Sequence, residues 1–269
     1  LVAVSELYDR LRDAITDERP VALATVIEGR NAGAKLVVEP DGDVLGTLGH
    51  LELDRIVSRD AVGELAAGRT GVRHYGAEGQ ARETDVSVFI ESFSPPPIML
   101  VFGAVDFTAA LARAGKLLGF NVVVADARSV FATVKRFPMA DRVMAAWPDE
   151  VFDAYGYRLG PHDAVCILTH DPKFDVPAVQ RAVATDVGYI GVMGSRRTHA
   201  TRLERLREVG VDEKSIDRLM APIGLDIGSR TPEETAVSVC AEIIANRTGH
   251  SAPSLRDGEG PIHRPSAEG

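Results

Sequence analysis

Short, uninterrupted apolar runs alternate with helix-patterned stretches after residue 98, and this constrains the fold of the 269-residue chain more tightly than anything else in it. Ile98-Met99-Leu100-Val101-Phe102 has no polar member, which suits a strand covered on both faces rather than one with a wet face. Further strands are predicted over residues 121–125, 142–146, 163–168 and 188–192. Helices are predicted over 106–118, 176–184, 195–208, 212–219 and 231–247. The last opens with Thr231-Pro232-Glu233-Glu234, a capping box with proline at the first helical position. Strand–helix–strand repetition implies right-handed crossovers, and so an α/β domain with a Rossmann-like, doubly wound parallel sheet.

Ser94-Pro95-Pro96-Pro97 is the clearest boundary, because three prolines donate no backbone hydrogen bonds and form a short stiff linker, residues 94–97. Residues 1–93 read as a small α+β module. Ser5 is the candidate cap of a first helix that carries Leu7, Leu11 and Ile15 on one face and is stopped by Pro20. Strands over 21–27, 36–38 and 44–47 follow, the last two joined through Asp41-Gly42, which tolerates the positive φ of a tight hairpin. An amphipathic helix through Leu53, Ile56, Val57 and Leu65 ends at Gly68, and a strand over 85–91 closes the module. The Rossmann-like domain then covers 98–247, and residues 248–269, rich in Gly, Pro, Ser and charge, read as a disordered tail.

Acids outnumber bases 39 to 30, a net charge of −9, which argues against a nucleic-acid partner. No stretch approaches the ~18 consecutive apolar residues of a membrane span, so a cytoplasmic protein is expected. The two cysteines are too few for a disulfide framework or a four-cysteine zinc site. Cys166, inside an apolar run, and Cys240, among the apolar positions of the last helix, read as small buried hydrophobes.

In a parallel sheet, ligands bind beyond the carboxyl ends of the strands. Gly103 follows the first run and matches the first glycine of a dinucleotide turn, but Val105 and Thr108 occupy the second and third glycine positions. Asp126 ends the next strand, where a ribose-binding acid would lie, so this pair of strands reads either as a nucleotide site or as the same fold without one. Arg128 and Arg136, near the same edge, either grip a phosphate or pair with local acids. Thr169-His170-Asp171-Pro172-Lys173-Phe174-Asp175 is a dense polar loop that could position a ligand, form turn structure, or supply metal ligands or acid–base groups. Gly194-Ser195-Arg196-Arg197 is the sharpest local signal. Ser195 caps a helix with two arginines in its first turn, and cations are unfavourable at that end of the dipole unless an anion binds. An ordinary capped helix is the alternative. Asp226 lies in Ala221-Pro222-Ile223-Gly224-Leu225-Asp226-Ile227-Gly228, which on its own reads as a tight connection.

These words, Asp126-Ala127-Arg128, Arg136-Phe137-Pro138, Thr169-His170-Asp171, Tyr189-Ile190-Gly191 with Gly194-Ser195-Arg196-Arg197, the Ala221 to Gly228 segment and Thr231-Pro232-Glu233-Glu234, occur in the order of the XdhC/CoxI family, xanthine dehydrogenase accessory proteins. Residues 98–247 resemble that family, and residues 1–93 are similar to a worn copy of its N-terminal module. The resemblance implies an accessory factor that binds molybdenum cofactor (molybdopterin), supports its sulfuration with a cysteine desulfurase, and delivers it to the apo-enzyme of a xanthine or carbon monoxide dehydrogenase-type molybdenum hydroxylase. It points to a maturation chaperone rather than an enzyme, although the family is often labelled xanthine dehydrogenase by association. The chain has no iron–sulfur cysteine set. The cofactor-binding candidates are Gly103, Asp126, Arg128, His170, Gly194, Ser195, Arg196, Arg197 and Asp226; any catalysis would fall to His170 and Asp171, and no metal site is assigned.

Three departures from the family pattern stand out. Gly46-Thr47-Leu48-Gly49-His50-Leu51-Glu52 lacks a cysteine, Gly76-Ala77-Glu78-Gly79-Gln80 replaces a Cys-Gly-Gly segment, and Gly103-Ala104-Val105-Asp106 replaces Gly-Ala-Gly-His. Some relatives carry two tandem N-terminal modules with the cysteines in the first, so this chain, which opens on Leu1, is expected to begin at the second. Two other readings stay open: an NAD(P)-dependent oxidoreductase with His170 as proton donor, and a non-catalytic scaffold that docks a molybdoenzyme.

Overall fold

A computed structural model describes residues 4–66, 68–76 and 85–257. The chain divides between Pro95 and Pro96 into two compact units. The first contains α1 (Val4–Thr16), β1 (Val21–Glu28), β2 (Lys35–Val38), β3 (Val44–Thr47), α2 (Leu51–Ala66), β4 (Gly71–Tyr75) and β5 (Val86–Phe93). Its sheet is antiparallel in the order β3-β2-β1-β5-β4. Alternation along β1 sends Ala22, Ala24 and Val26 to the α2 side, where they meet Leu53, Val57 and Leu65, and sends Val21 and Leu23 to the α1 side. Gly42 turns the hairpin at φ 90°, and Gly68 follows α2 at φ 62°.

Three local expectations need correction. Ser5 lies inside α1 rather than capping it, because the helix already includes Val4. Ile15 is exposed, and Ala14 takes the buried place in its turn. β4 was not predicted: four of its five residues are exposed, so it lacks the apolar alternation that marks a strand. Of the segment Gly76-Ala77-Glu78-Gly79-Gln80, all but Gly76 lies outside the described residues.

The second unit contains β6 (Ile98–Phe102), α3 (Asp106–Leu117), β7 (Asn121–Ala125), β8 (Arg142–Met144), α4 (Pro148–Tyr155), β9 (Ala164–Ile167), α5 (Pro172–Val183), β10 (Tyr189–Val192), α6 (Arg196–Glu208), α7 (Glu213–Ile216), β11 (Leu219–Met220) and α8 (Pro232–Thr248). All six strands are parallel, in the order β11-β10-β9-β6-β7-β8. The order reverses between β6 and β9, with Phe102 opposite both Ala125 and Ile167. Leu100, Phe102, Val165, Ile167 and Ile190 pack under α4, α5, α6 and α7. Met99, Val101, Cys166 and Tyr189 pack under α3 and α8. At the amino edge, Asp163 accepts the Ile98 amide at 2.5 Å and the Gly160 amide at 2.6 Å, tying the start of β9 to the start of β6.

The capping box of α8 forms as predicted: Thr231 Oγ1 accepts from the Glu234 amide at 3.2 Å, and Glu234 Oε2 accepts from the Thr231 amide at 3.1 Å. α4 was not predicted. α5 begins at Pro172, four residues before its predicted start, because Asp171 caps it. Leu219, predicted as the end of a helix, instead opens the short strand β11. Thr248 completes α8 and Leu255–Asp257 form a 3-10 turn, while residues 258–269 of the predicted tail lie outside the described residues. No helix among the described residues is long and apolar enough to cross a membrane.

Both cysteines are buried, Cys166 on β9 and Cys240 on α8. Burial pushes the Cys166 thiol well above its ordinary pKa and the Cys240 thiol up to about 11, so neither is a thiolate at neutral pH. Native protein near neutral pH should therefore react with a thiol reagent far more slowly than denatured protein. Cys→Ala or Cys→Ser changes should lower the melting temperature, since each side chain is packed in the core. Rapid native labelling of Cys166 would contradict this.

Candidate functional site

The carboxyl edge of the parallel sheet gathers its polar residues from the connections, beginning at the point where the strand order reverses. Gly103 leaves β6 with φ 109°, and a Cβ there would sit 2.7 Å from Thr169 Cγ2. Glycine is thus required both by backbone conformation and by the close approach of the β9 exit. Asp126, buried at the end of β7, accepts the Ala104 amide at 2.8 Å, the Arg128 amide at 2.9 Å, and both Nε (2.9 Å) and Nη2 (2.8 Å) of Arg128. Burial alone would raise its carboxyl, but the Arg128 side chain and the two amides outweigh that and hold it below its usual range. Both oxygens are fully engaged. Arg128 and Arg136 then flank the Phe131 ring, at 4.7 Å and 5.5 Å from its centroid, and Arg136 donates to the Ala104 carbonyl at 3.1 Å.

The polar segment after β9 is mostly helix. Asp171 Oδ1 accepts the Lys173 amide at 3.0 Å as the cap of α5, and His170 is exposed beside it. Asp175, one turn in, accepts from the Thr169 hydroxyl and from Arg202 Nη2 at 3.2 Å. Arg202 also donates to the Met193 carbonyl at 2.9 Å. His170, Asp175, Arg197, Arg202 and Arg205 line a cavity of about 280 Å³ between α5 and α6. Among the described residues, no group of three or more His, Cys, Asp or Glu is placed to hold a metal ion.

Gly194 leaves β10 at φ 149°, and Ser195 Oγ caps α6 by accepting the Thr198 amide at 3.1 Å. Arg196 and Arg197 are exposed in the first turn and have no acidic partner among the described residues. They line an open cleft of about 520 Å³ with Ser195, Pro222, Gly224 and Asp226. The Asp226 carboxylate is exposed and accepts no hydrogen bond from the described residues. Its loop is fixed from below: Glu242 Oε2, on α8, accepts the Gly224 amide at 2.8 Å and the Tyr189 hydroxyl at 2.5 Å, and Ser238 donates to the Leu225 carbonyl at 2.6 Å.

A family model described as the XdhC Rossmann domain matches residues 99–243, and one described as the XdhC and CoxI family matches residues 14–76. The chain belongs to the XdhC and CoxI family. Among its curated relatives is YqeB of Escherichia coli K12, 31% identical over 238 residues, covering 84% of this chain and 43% of YqeB. A Bacillus subtilis protein named as a probable xanthine dehydrogenase subunit is 34% identical over 161 residues, covering 60% of this chain and 46% of that one. The molybdenum cofactor insertion chaperone PaoD of Escherichia coli K12 is 36% identical over 105 residues, covering 38% of this chain and 33% of PaoD. The chain thus spans less than half the length of each of these relatives. A crystal structure described as a xanthine dehydrogenase from Bacillus halodurans shares the fold, with a TM-score of 0.55, 21% identity and coverage of 91% of this chain and 97% of that one.

Within this XdhC Rossmann domain the predicted site residues fall into three groups. Ser195, Arg196, Arg197 and Asp226 share the open cleft, and Gly194 supplies the turn into it. His170 lines the smaller cavity, which Arg197 borders as well. Gly103, Asp126 and Arg128 are held by packing and by one another, and Asp171 is spent on its cap, although its charge still reaches Arg128. Sequence reasoning missed Arg202, Arg205 and Glu242. Arg197, Thr201 and Arg205 recur every four residues along α6, a spacing that marks one helix face and was available as a signal.

Burial pushes the Asp175 carboxyl up to about 6, with Arg202 offsetting only part of the shift. Its unfolded value is near 3.8, so the folded chain binds the extra proton between about pH 4 and 6. The stability this group contributes is fully present below about pH 4 and is lost as pH rises through about 6. Asp175→Asn should therefore flatten the fall in unfolding free energy over that window, by up to about 3 kcal/mol. A variant whose stability falls as steeply as the wild type in urea titrations between about pH 4 and 7 would show that burial does not dominate this group.

Proposed function

We propose that this chain is an accessory factor for molybdenum hydroxylases of the xanthine and carbon monoxide dehydrogenase type, holding molybdenum cofactor at the carboxyl edge of its parallel sheet and passing it to the apo-enzyme. The observation that carries this reading is the open cleft with two unpaired arginines at a helix start and one unengaged carboxylate among the described residues. The cofactor has a phosphate and a pterin rich in hydrogen-bonding edges, and the donor set fits both. Arg196, Arg197 and the first amides of α6 suit the phosphate, while Asp226 is free to accept from the pterin amine. His170 is left for the molybdenum end or for the partner's surface. The names of PaoD and the Bacillus subtilis relative point the same way.

Neither buried cysteine suits sulfur transfer, so sulfuration of the cofactor would draw on a cysteine desulfurase as partner. The nicotinamide reading is weaker. Asp126 has no acceptor site left for a ribose hydroxyl, and Val105 stands where a glycine would let the pyrophosphate approach. A scaffold without a ligand leaves the unpaired charges of Arg196 and Arg197 without a reason.

Trp147, the only tryptophan, lies 5.7 Å from the Phe174 ring at the start of α5 and gives a fluorescence reporter near the edge. Molybdopterin should titrate to saturation and NAD(H) should not. The double change Arg196→Ala, Arg197→Ala should weaken molybdopterin by ~2–4 kcal/mol, the worth of two charge-assisted contacts. Unchanged affinity would remove the cleft from the mechanism. Asp226→Ala should reduce cofactor retention and leave the melting temperature in place, whereas a structural acid would show the reverse.

A further inference from the structure

The smaller cavity, about 280 Å³ between the start of α5 and one face of α6, shares only Arg197 with the open cleft. Its base is unusual. Arg202 is 4% exposed, its Nη2 is spent on Asp175 and on the Met193 carbonyl, and its Nη1 has no hydrogen-bond partner among the described residues. A buried guanidinium donor loses its hydration and is normally given an acceptor in return. Asp175 accepts the Thr169 hydroxyl on one oxygen and Nη2 on the other, and takes nothing from Nη1. Arg197 and Arg205 add two cations with no acidic partner among the described residues, and Thr201 adds a hydroxyl. Three guanidiniums against one engaged carboxylate leave two positive charges for an occupant. The volume lies below that of a site for a drug-sized ligand, so the occupant is small.

We infer that this cavity is a second anion site, specific for a tetrahedral oxyanion, either a free ion or the phosphate end of a monoester, held by Arg202, Arg197, Arg205 and Thr201. Guanidinium forks match the paired oxygens of such a group, and a helix-face hydroxyl can donate to a third. The site does not depend on the cofactor reading, because Arg202, Arg205 and Thr201 do not line the open cleft.

Calorimetric titration of the whole chain with inorganic phosphate and with sulfate tests it. Saturable binding is expected, weakened at least about tenfold by Arg205→Ala and by Thr201→Val together. Both side chains are exposed, so the fold should persist, and circular dichroism checks that it does. Arg207→Ala, whose guanidinium is held by Glu213 and lines neither the cavity nor the cleft, should change this affinity less than about twofold. Glycerol 3-phosphate distinguishes the sources: competition at similar concentration identifies a monoester, and its failure to compete identifies a free ion. Absence of saturable phosphate and sulfate binding would overturn the site, as would binding lost with Arg196→Ala and kept with Arg205→Ala. Molybdopterin binding in the cleft is read separately, by the Arg196→Ala, Arg197→Ala double change and by Asp226→Ala.

Discussion

Every residue of β6, β9 and β10 is buried, as is every residue of β7 after Asn121. Their backbone groups are consumed by the ladder and their side chains by two apolar layers, so the strands offer a ligand nothing. Polar chemistry must therefore come from the connections beyond the strand ends, and the geometry of those ends decides what can be built. At the reversal between β6 and β9 the two exits come so close that Gly103 has no room for a Cβ beside Thr169. The Asp126 carboxylate then fastens the turn into α3 to the end of β7. The position that would serve a dinucleotide in a Rossmann fold is here a fixed joint, and the uncommitted groups lie further along, after β9 and β10.

The arginines of this unit make the contrast visible. Arg128 is forked onto Asp126, Arg181 reaches Asp149 and Asp153, Arg207 reaches Glu213, and Arg218 caps the carbonyls of Val183, Thr185 and Val187. Against that background Arg196 and Arg197 stand, among the described residues, without acidic partners at the positive end of the α6 dipole. Exposed pairs contribute little to stability, so the missing pairing is no large loss for folding. Its meaning is local: the field at the start of α6 is left uncompensated where the cleft opens.

What the sequence revealed and what it hid have separate physical causes. The apolar runs disclosed four of the parallel strands nearly to the residue, because burial on both faces leaves no polar interruption to blur them. β11 and β4 stayed hidden, the first for having two residues and the second for its exposed edge position. The cap at Ser195 was legible because a hydroxyl before a helix has one common use. The role of Asp126 was not, since an acid at a strand end looks the same whether it awaits a ribose or grips the arginine two residues on. Asp175 and Arg202 lie 27 residues apart, and nothing in either neighbourhood announces that they meet in a buried pair.

Arg197 borders both the cleft and the cavity, and this joins them energetically. Two anions drawing on one guanidinium each receive less of it, and they also repel one another. If both sites fill as proposed, occupation of the cavity must lower the affinity of the cleft for a phosphate-bearing ligand, and by linkage the cleft's ligand must lower the affinity of the cavity by the same factor. A carrier gains from such an arrangement only if release matters as much as capture. Tight, uncoupled binding would hold a cofactor well and surrender it slowly, whereas a neighbouring anion that competes for Arg197 weakens one of the cofactor's contacts and shortens its residence.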